Sequence, residues 1–414
     1  MAISHSTPQA IAQPGRPTRA KAAVPAIAQN RPHTLSQSRI RRGLRAVIGS
    51  LPVRIGSTAP PHPTRKRTPH LVRSPGDRCG DGEAMVLLDA VRADARLADW
   101  LKGLQESEKA PEAPARLPDA DELPDVLVDL AVPYEDINDL VALRRTLAAD
   151  EGATWLLGRC VDGLARDMGK IGKGQGLLPL PLESGPLGRY FPVYVFVAAL
   201  PYVRAYHREL GIPDDISRRT LADLGRGLVL HRQRYGVGGL VAPGWFSLHF
   251  HGELFQLGRL QYQRSRVSGR EGVALATAGL RLRPGEPCLD LHIPDYAGPL
   301  TPEACDRSLA SAHDFFARHF PQERYTAGCC HSWLLDPQLK RYLPKDANIV
   351  RFQERFRVAC GNSEPEDDLP IRFVFGDPDL PVETLPRRTS LERAVADHLR
   401  AGGHWYSGHG WFAW

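Results

Sequence analysis

Several side chains in the second half of the chain have the chemistry of catalysts. Glu253 stands beside Gly252 at the head of a β-forming run. A carboxylate held near neutral pKa by burial can deprotonate an ammonium directly or through water, so Glu253 is a candidate base, while an exposed hairpin residue is the competing reading. His292 alternates within the apolar run Cys288 to Ile293, where an imidazole either moves a proton or fills a hydrogen-bonded place in the core. Cys329, Cys330, His331 and Ser332 follow one another on a second such run. A thiol next to a histidine suggests a nucleophile, but neighbours on a strand point to opposite faces. Cys330 and His331 therefore cannot pair; the four read first as small buried strand residues, with Ser332 a further candidate as donor to a leaving group.

Three further patterns carry less. His249 and His251 lie two apart on one strand face, in and just after the run Trp245 to Phe250, and that spacing serves zinc and iron. No third ligand follows at motif spacing, so no metal is expected. Gly172, Gly174 and Gly176 resemble a phosphate cradle, yet no Gly-Lys-Ser/Thr follows and the two prolines among residues 177–182 cannot start the required helix. No Gly-x-Ser-x-Gly elbow occurs, which argues against an α/β-hydrolase.

The elements that must position these residues change in character along the chain. Residues 1–84 mix Pro, Ser, Thr, Gln, Arg and Gly without periodicity, a composition that cannot bury enough apolar area to offset its ordering entropy. This arm is expected to be disordered, or an over-long gene start with the true beginning at Met85. Residues 85–241 read as an α-rich domain. Helices are expected over Val86 to Leu104, Glu135 to Ala149, Thr154 to Met168, Pro192 to Glu209 and Ser217 to Tyr235, the last capped by Asp214, Asp215 or Ser217, with a Pro- and acid-rich linker at Glu108 to Leu123. The apolar stretch Tyr190 to Tyr206 holds Pro192, Pro201 and Arg204 and falls short of the roughly 20 apolar residues a membrane span needs, so it reads as a buried helix.

Residues 242–414 switch to short β-rich runs: Trp245 to Phe250, Leu254 to Gln263, Cys288 to Ile293, Tyr325 to Leu334 and Ile371 to Phe375. Thr301 and Pro302 mark a helix start, with Cys305, Leu309, Ala312, Phe316 and Phe320 on one face. Strand, loop, helix and strand over Cys288 to Leu334 make a βαβ unit, and the whole is a two-domain α/β (α+β) protein.

Composition narrows the partners. The chain of 414 residues has a formal net charge of +6, with 53 Lys and Arg against 47 Asp and Glu, but residues 1–76 hold 13 of the basic residues and no acidic one. The remainder carries 40 basic against 47 acidic residues, so the folded part is acidic and the overall positive charge is no sign of a basic groove for nucleic acid. Seven scattered cysteines in a chain this large do not form a disulfide framework, and a reducing cytoplasm is expected. The first 30 residues lack a secretory apolar core.

The strand order, the helix after it and three segments together resemble a known group. Gly252-Glu-Leu-Phe-Gln-Leu-Gly-Arg-Leu-Gln-Tyr262, Leu291-His-Ile-Pro294 with Gly298 and Leu300, and Ser332-Trp-Leu-Leu-Asp-Pro337 with Asn348-Ile349 and Phe352-Gln353 are similar to bacterial proteins that join an N-acyltransferase N-terminal domain to a GNAT-like C-terminal domain. The resemblance covers residues 85–414, including the closing His398 to Trp405 region.

It implies an enzyme that moves an acyl group from acyl-CoA or acetyl-CoA to a small-molecule amine acceptor, with an acyl carrier as another donor form and neither nucleic acid nor membrane as partner. The carrier's pyrophosphate would then lie against Ile293, Tyr296, Gly298, Leu300, Thr301 and Arg307, where backbone N–H groups meet a helix N-terminus. Glu253 or His292 would handle the amine proton, and Ser332 the leaving thiolate. The loop departs from the family's Gln/Arg-x-x-Gly-x-Gly/Ala pattern: Pro299 and Pro302 have no N–H, and Asp295 and Glu303 would repel phosphate. That departure keeps open a non-catalytic GNAT-like binding or interaction module.

Overall fold

The computed structural model describes residues 87–106, 115–174, 176–181, 184–268, 282–361 and 364–414. The arm over residues 1–84 and the start at Met85 lie outside them, as do residues 108–114 of the linker.

Helices come first. α1 (Leu87–Ala93), α2 (Ala98–Gln105), α3 (Leu123–Asp129), α4 (Tyr134–Ala149) and α5 (Glu151–Ala165) surround the 25-residue α6 (Gly185–Glu209). Every residue of α6 from Tyr190 to Leu200 is buried, so this helix is apolar all round because it is enclosed. Two of its four phenols find partners inside: Tyr190 Oη donates to Asp136 at 2.6 Å, and Tyr194 Oη to the Leu140 carbonyl. No described helix is long and apolar enough to cross a membrane.

The helix expected over Ser217 to Tyr235 is two helices, α7 (Asp214–Leu221) and α8 (Asp223–Tyr235). Asp214 and Asp215 lie in the first turn of α7 and Pro213 is its N-cap, so none of the expected side chains caps it. The break has a packing cause at Gly225. Its N–H donates to the Leu130 carbonyl, and a Cβ there would lie 1.9 Å from the Ala131 oxygen. Only glycine lets α8 approach the α3 terminus this closely.

Trp245 to Phe250, read from sequence as a strand, is the helix α9 (Pro243–Phe250). Pro243 takes the first helical position, which suits its fixed φ. Phe246 and Phe250, one turn apart, then pack on Phe196 of α6 with ring centroids at 6.4 and 4.6 Å.

The chain then builds a six-stranded sheet from β1 (Leu254–Leu257), β2 (Leu260–Arg266), β3 (Pro287–His292), β4 (Ala327–Ser332), β5 (Arg357–Gly361) and β6 (Gly408–Ala413). Their order is β1-β2-β3-β4-β6-β5, antiparallel except between β3 and β4. The crossover between those two is α10 (Pro302–His319), whose Thr301 N-cap accepts from the Ala304 N–H at 3.2 Å. Cys305, Ala312, Phe315 and Phe316 face the sheet and meet Phe255, Tyr262, Leu289 and Leu291, largely the apolar face read from sequence.

A third core, around Trp333, Leu339, Val395 and Trp405, is formed by α11 (Asn348–Gln353), α12 (Asp368–Phe375), α13 (Ser390–Arg400) and their connections. Here too a predicted strand, Ile371 to Phe375, is helical. Asp368 sits in its first turn and Gly376 closes it in the left-handed region. The aromatic residues 408–413 near the end of the chain form an interior strand of the sheet.

Candidate functional site

The two faces of the sheet differ in chemistry. Leu260, Tyr262, Leu289, Leu291 and Cys330 face α10, while Gln261, Gln263, Cys288, Asp290, His292, Cys329, His331 and His409 alternate onto the other face. The second face is polar and partly covered by α8 and α9.

His292 sits at the C-terminal end of β3, half-buried, with Nε2 3.0 Å from Gln263 Oε1 and the Trp245 ring edge-on at 4.7 Å. With an amide oxygen as its partner, Nε2 carries the ring proton and Nδ1 the lone pair. Burial, helped by the charges of His249 and His331, lowers its pKa to about 3. The imidazole is therefore neutral through the physiological range, as a proton acceptor must be.

Beside it lies a carboxylate that sequence reasoning missed. Asp223, in the first turn of α8, is buried and accepts from Gln261 Nε2 at 3.1 Å and from Trp245 Nε1 at 3.3 Å. His249 Nε2 stands 3.1 Å from Asp223 Oδ2, at an ion-pair distance but outside hydrogen-bond angles. Burial pushes the Asp223 carboxyl up, but His249, Tyr296 and Gln261 together bring it down to about 2. An acid one residue after a helix break was the available signal, and it is indistinguishable in sequence from an ordinary first-turn aspartate.

The paired histidines are thus not a metal site. His249 belongs to α9 and faces Asp223, whereas His251 Nδ1 bonds Glu253 Oε1 at 2.8 Å. Glu253 is buried, neither exposed nor free: its other oxygen accepts from the Gly172 N–H at 3.1 Å. Its carbonyl pairs with Arg264, which lies opposite Leu289, three positions before His292. At about 3.3 Å per residue that is roughly 10 Å along the strands, so Glu253 and His292 are not brought together. Among the described residues the donors that could hold a metal are Cys288, Asp290 and Cys329, all within 4.8 Å of one another. They form a hydrogen-bonded group in which the Cys329 thiol donates to Asp290. The bond with Cys288, burial and the Asp290 charge raise the Cys329 pKa.

The parallel ladder between β3 and β4 covers Leu289 with Gly328 and Asp290 with Cys329 and stops there, though β3 runs on to His292 and β4 to Ser332. The strands separate next to His292. Ser332, at the far side of this opening, accepts from the Leu334 N–H at 3.1 Å, which leaves its hydroxyl proton for donation.

The following loop leads to α10. Gly298 is exposed at φ +82°, with open space where a Cβ would go. Among the described residues the N–H groups of Leu300, Thr301 and Glu303 meet no acceptor. Leu300 and Ile293 turn their side chains into or against the core, so only their backbone is available to a ligand, and Arg307 is exposed one turn into the helix. Arg259, buried beneath, donates to the Pro294 carbonyl at 2.9 Å and to the Pro299 carbonyl at 3.3 Å. Asp295 is paired with Arg226, so its charge is compensated. Tyr296 points away from the helix start, donating to Gln256 Oε1 at 3.2 Å and lying within hydrogen-bonding reach of Asp223.

Two family models match the chain. Residues 121–252 match the N-acyltransferase N-terminal domain and residues 254–412 the GNAT-like C-terminal domain. The chain is similar, at 38% identity, to a solved acyltransferase in complex with decanoyl-CoA and teicoplanin, over 79% of this chain and 98% of that one, with a TM-score of 0.69. A tryptophan-to-alanine variant of an acyltransferase in complex with octanoyl-CoA matches at 38% identity, over 79% and 99%, with a TM-score of 0.70. An acyltransferase bound to CoA and 10C-Teicoplanin matches at the same identity, with a TM-score of 0.70. A search of curated proteins finds no match.

Proposed function

The chain belongs to the acyltransferases that join an N-acyltransferase N-terminal domain to a GNAT-like C-terminal domain, and from that premise we propose that it transfers a medium-chain acyl group from acyl-CoA to an amine on a small-molecule acceptor. The observation that carries the reading is the opening between β3 and β4 directly beside a neutral, half-buried His292. A thioester laid in that opening would meet the free backbone edge of β3, whose N–H groups suit the developing oxyanion. The pyrophosphate would rest on the N–H groups of Leu300, Thr301 and Glu303 at the start of α10, with Gly298 allowing close approach and Arg307 adding positive charge.

His292 Nδ1 would take the proton from the attacking amine as the C–N bond forms, and the Ser332 hydroxyl would supply one to the thiolate as the C–S bond breaks. Glu253 fits better as the group orienting His251 than as the base. The helical domain over residues 85–241 would shape the acceptor pocket above the polar sheet face. Two relatives that bind teicoplanin and relatives that bind octanoyl-CoA and decanoyl-CoA support the choice of a small-molecule acceptor and a medium chain. A reducing cytoplasm remains the compartment that its cysteine usage favours.

The test is incubation of the purified protein with octanoyl-CoA or decanoyl-CoA and teicoplanin-type amine acceptors, following thiol release and product mass. Acylated product with stoichiometric CoA is expected. No CoA binding by calorimetry and no product with any acceptor would overturn the proposal.

A further inference from the structure

The helical half and the nucleotide-side loop touch through a specific pair of contacts. Asp223 and Arg226 are three apart on α8 and therefore share one face. Opposite them stand two consecutive loop residues, Asp295 and Tyr296. Arg226 Nε donates to Asp295 Oδ1 at 3.1 Å and its Nη2 to Oδ2, a two-pronged pair. One turn back, the Tyr296 hydroxyl reaches the cluster of Asp223, Gln256 and Gln261. An acid and a base on the helix meet a phenol and an acid on the loop.

Neither contact serves the stability of the loop's far end, which Arg259 and the Thr301 cap already hold. What they fix is the stretch just before Gly298, and with it the direction in which the free N–H groups of Leu300 and Thr301 point. The same Asp223 also holds Trp245 against His292. One helix thus touches both Trp245, the neighbour of the residue that would accept the amine proton, and the loop that would hold the donor.

We infer that Arg226 and Asp223 of α8 are positioning residues for the acyl-CoA loop, latching Asp295 and Tyr296 so that the acceptor-side helical domain sets donor affinity. The inference rests on the acyl-CoA reading of the loop. Because coupling is reciprocal for binding, a donor that orders the loop also orders α8 and its neighbour Trp245, and the acceptor then meets a more complete pocket.

The decisive experiment is a charge swap at the exposed rung, because the buried rung at Asp223 is harder to change without loss of fold. Arg226→Ala and Asp295→Ala are each expected to weaken CoA binding by calorimetry about 3- to 5-fold, the size of a partly exposed ion pair. The double variant should be no weaker than either single one. The swap Arg226→Asp with Asp295→Arg should return most of the affinity, with the KM for acyl-CoA following the same pattern and kcat within about 2-fold. If Arg226 instead touched phosphate directly, Asp295→Ala would leave or improve affinity and the swap would not rescue; either result overturns the latch.

A ligand-free readout separates this from the broader proposal. Amide exchange over residues 295–301 should quicken about 3- to 5-fold in Arg226→Ala and recover in the swap. Unchanged exchange refutes the latch even if the protein binds CoA. Failure of the unaltered protein to bind CoA, with the exchange pattern as expected, would refute the acyl-CoA reading and leave the latch standing.

Discussion

Replacing His292 by Gln should lower activity and raise acid stability at once. The glutamine can keep the contact with Gln263 but cannot take a proton, so the loss is that of a general base, about 10²- to 10⁴-fold in kcat. On the stability side the sign follows from the pKa of about 3 in the folded protein against about 6.5 in the unfolded chain. Between these values the unfolded state binds more protons, so stability falls as pH drops through that window. At pH 5 the unfolded imidazole gains about 1.5 decades of protonation that the folded one does not, a penalty of about 2 kcal/mol. His292→Gln removes it.

Urea unfolding at pH 7 and pH 5, together with thiol-release kinetics, checks both sides. The unaltered protein should lose about 2 kcal/mol from this group between the two pH values, and the variant should lose correspondingly less. Its kcat/KM profile before mutation should show no His292 titration near pH 6.5. A variant with more than a third of the original kcat, or one whose acid destabilisation is unchanged, would refute the argument.

Other outcomes follow from the packing. Gly298→Glu, in open space at φ +82°, should cost about 1 to 2 kcal/mol of stability through backbone strain while cutting CoA affinity at least about 10-fold, measured by calorimetry and chemical unfolding. Arg264→Ala removes a buried cation from the half-buried Glu323 and should destabilise by about 1 to 3 kcal/mol, read from the urea midpoint. Gly225→Ala forces a Cβ against the Ala131 carbonyl and should cost about 1 to 3 kcal/mol or more. Cys160 and Cys330 thiols, the latter pushed up to about 12 by burial, should resist alkylation at pH 8 until denaturant is added, as peptide mass mapping would reveal.

The sequence made the GNAT-like half legible where local signals agreed with the global fold. Thr301 and Pro302 announce α10 by cap chemistry, and the two runs of alternating residues around Cys288 and Cys329 announce β3 and β4. Trp245 to Phe250 failed because a six-residue apolar run has no periodicity to separate helix from strand, and the deciding contact, Phe196, lies far away in sequence. That one misreading turned His249 and His251 into apparent neighbours on a strand, when they face Asp223 and Glu253. Asp223 itself could not be found, since its meaning comes from Trp245 and His249 of α9, Gln261 of β2 and Tyr296 of the loop.

The place of β6 bears on how the molecule assembles. β4 and β5 never touch directly. They are joined only through residues 408–413, more than 70 positions downstream of β4. Until that segment arrives, β4 exposes an open hydrogen-bonding edge, and Leu335 and Phe356, which crowd Gly408 and Gly410 in the finished sheet, lack their cover. Closing so long a loop is slow compared with forming the β1-β2 hairpin or docking α10. The half of the sheet on the β4 side of the opening between β3 and β4 should therefore be the last to gain amide protection during refolding, and a pulse-labelling experiment would see β4, β5 and β6 protected together.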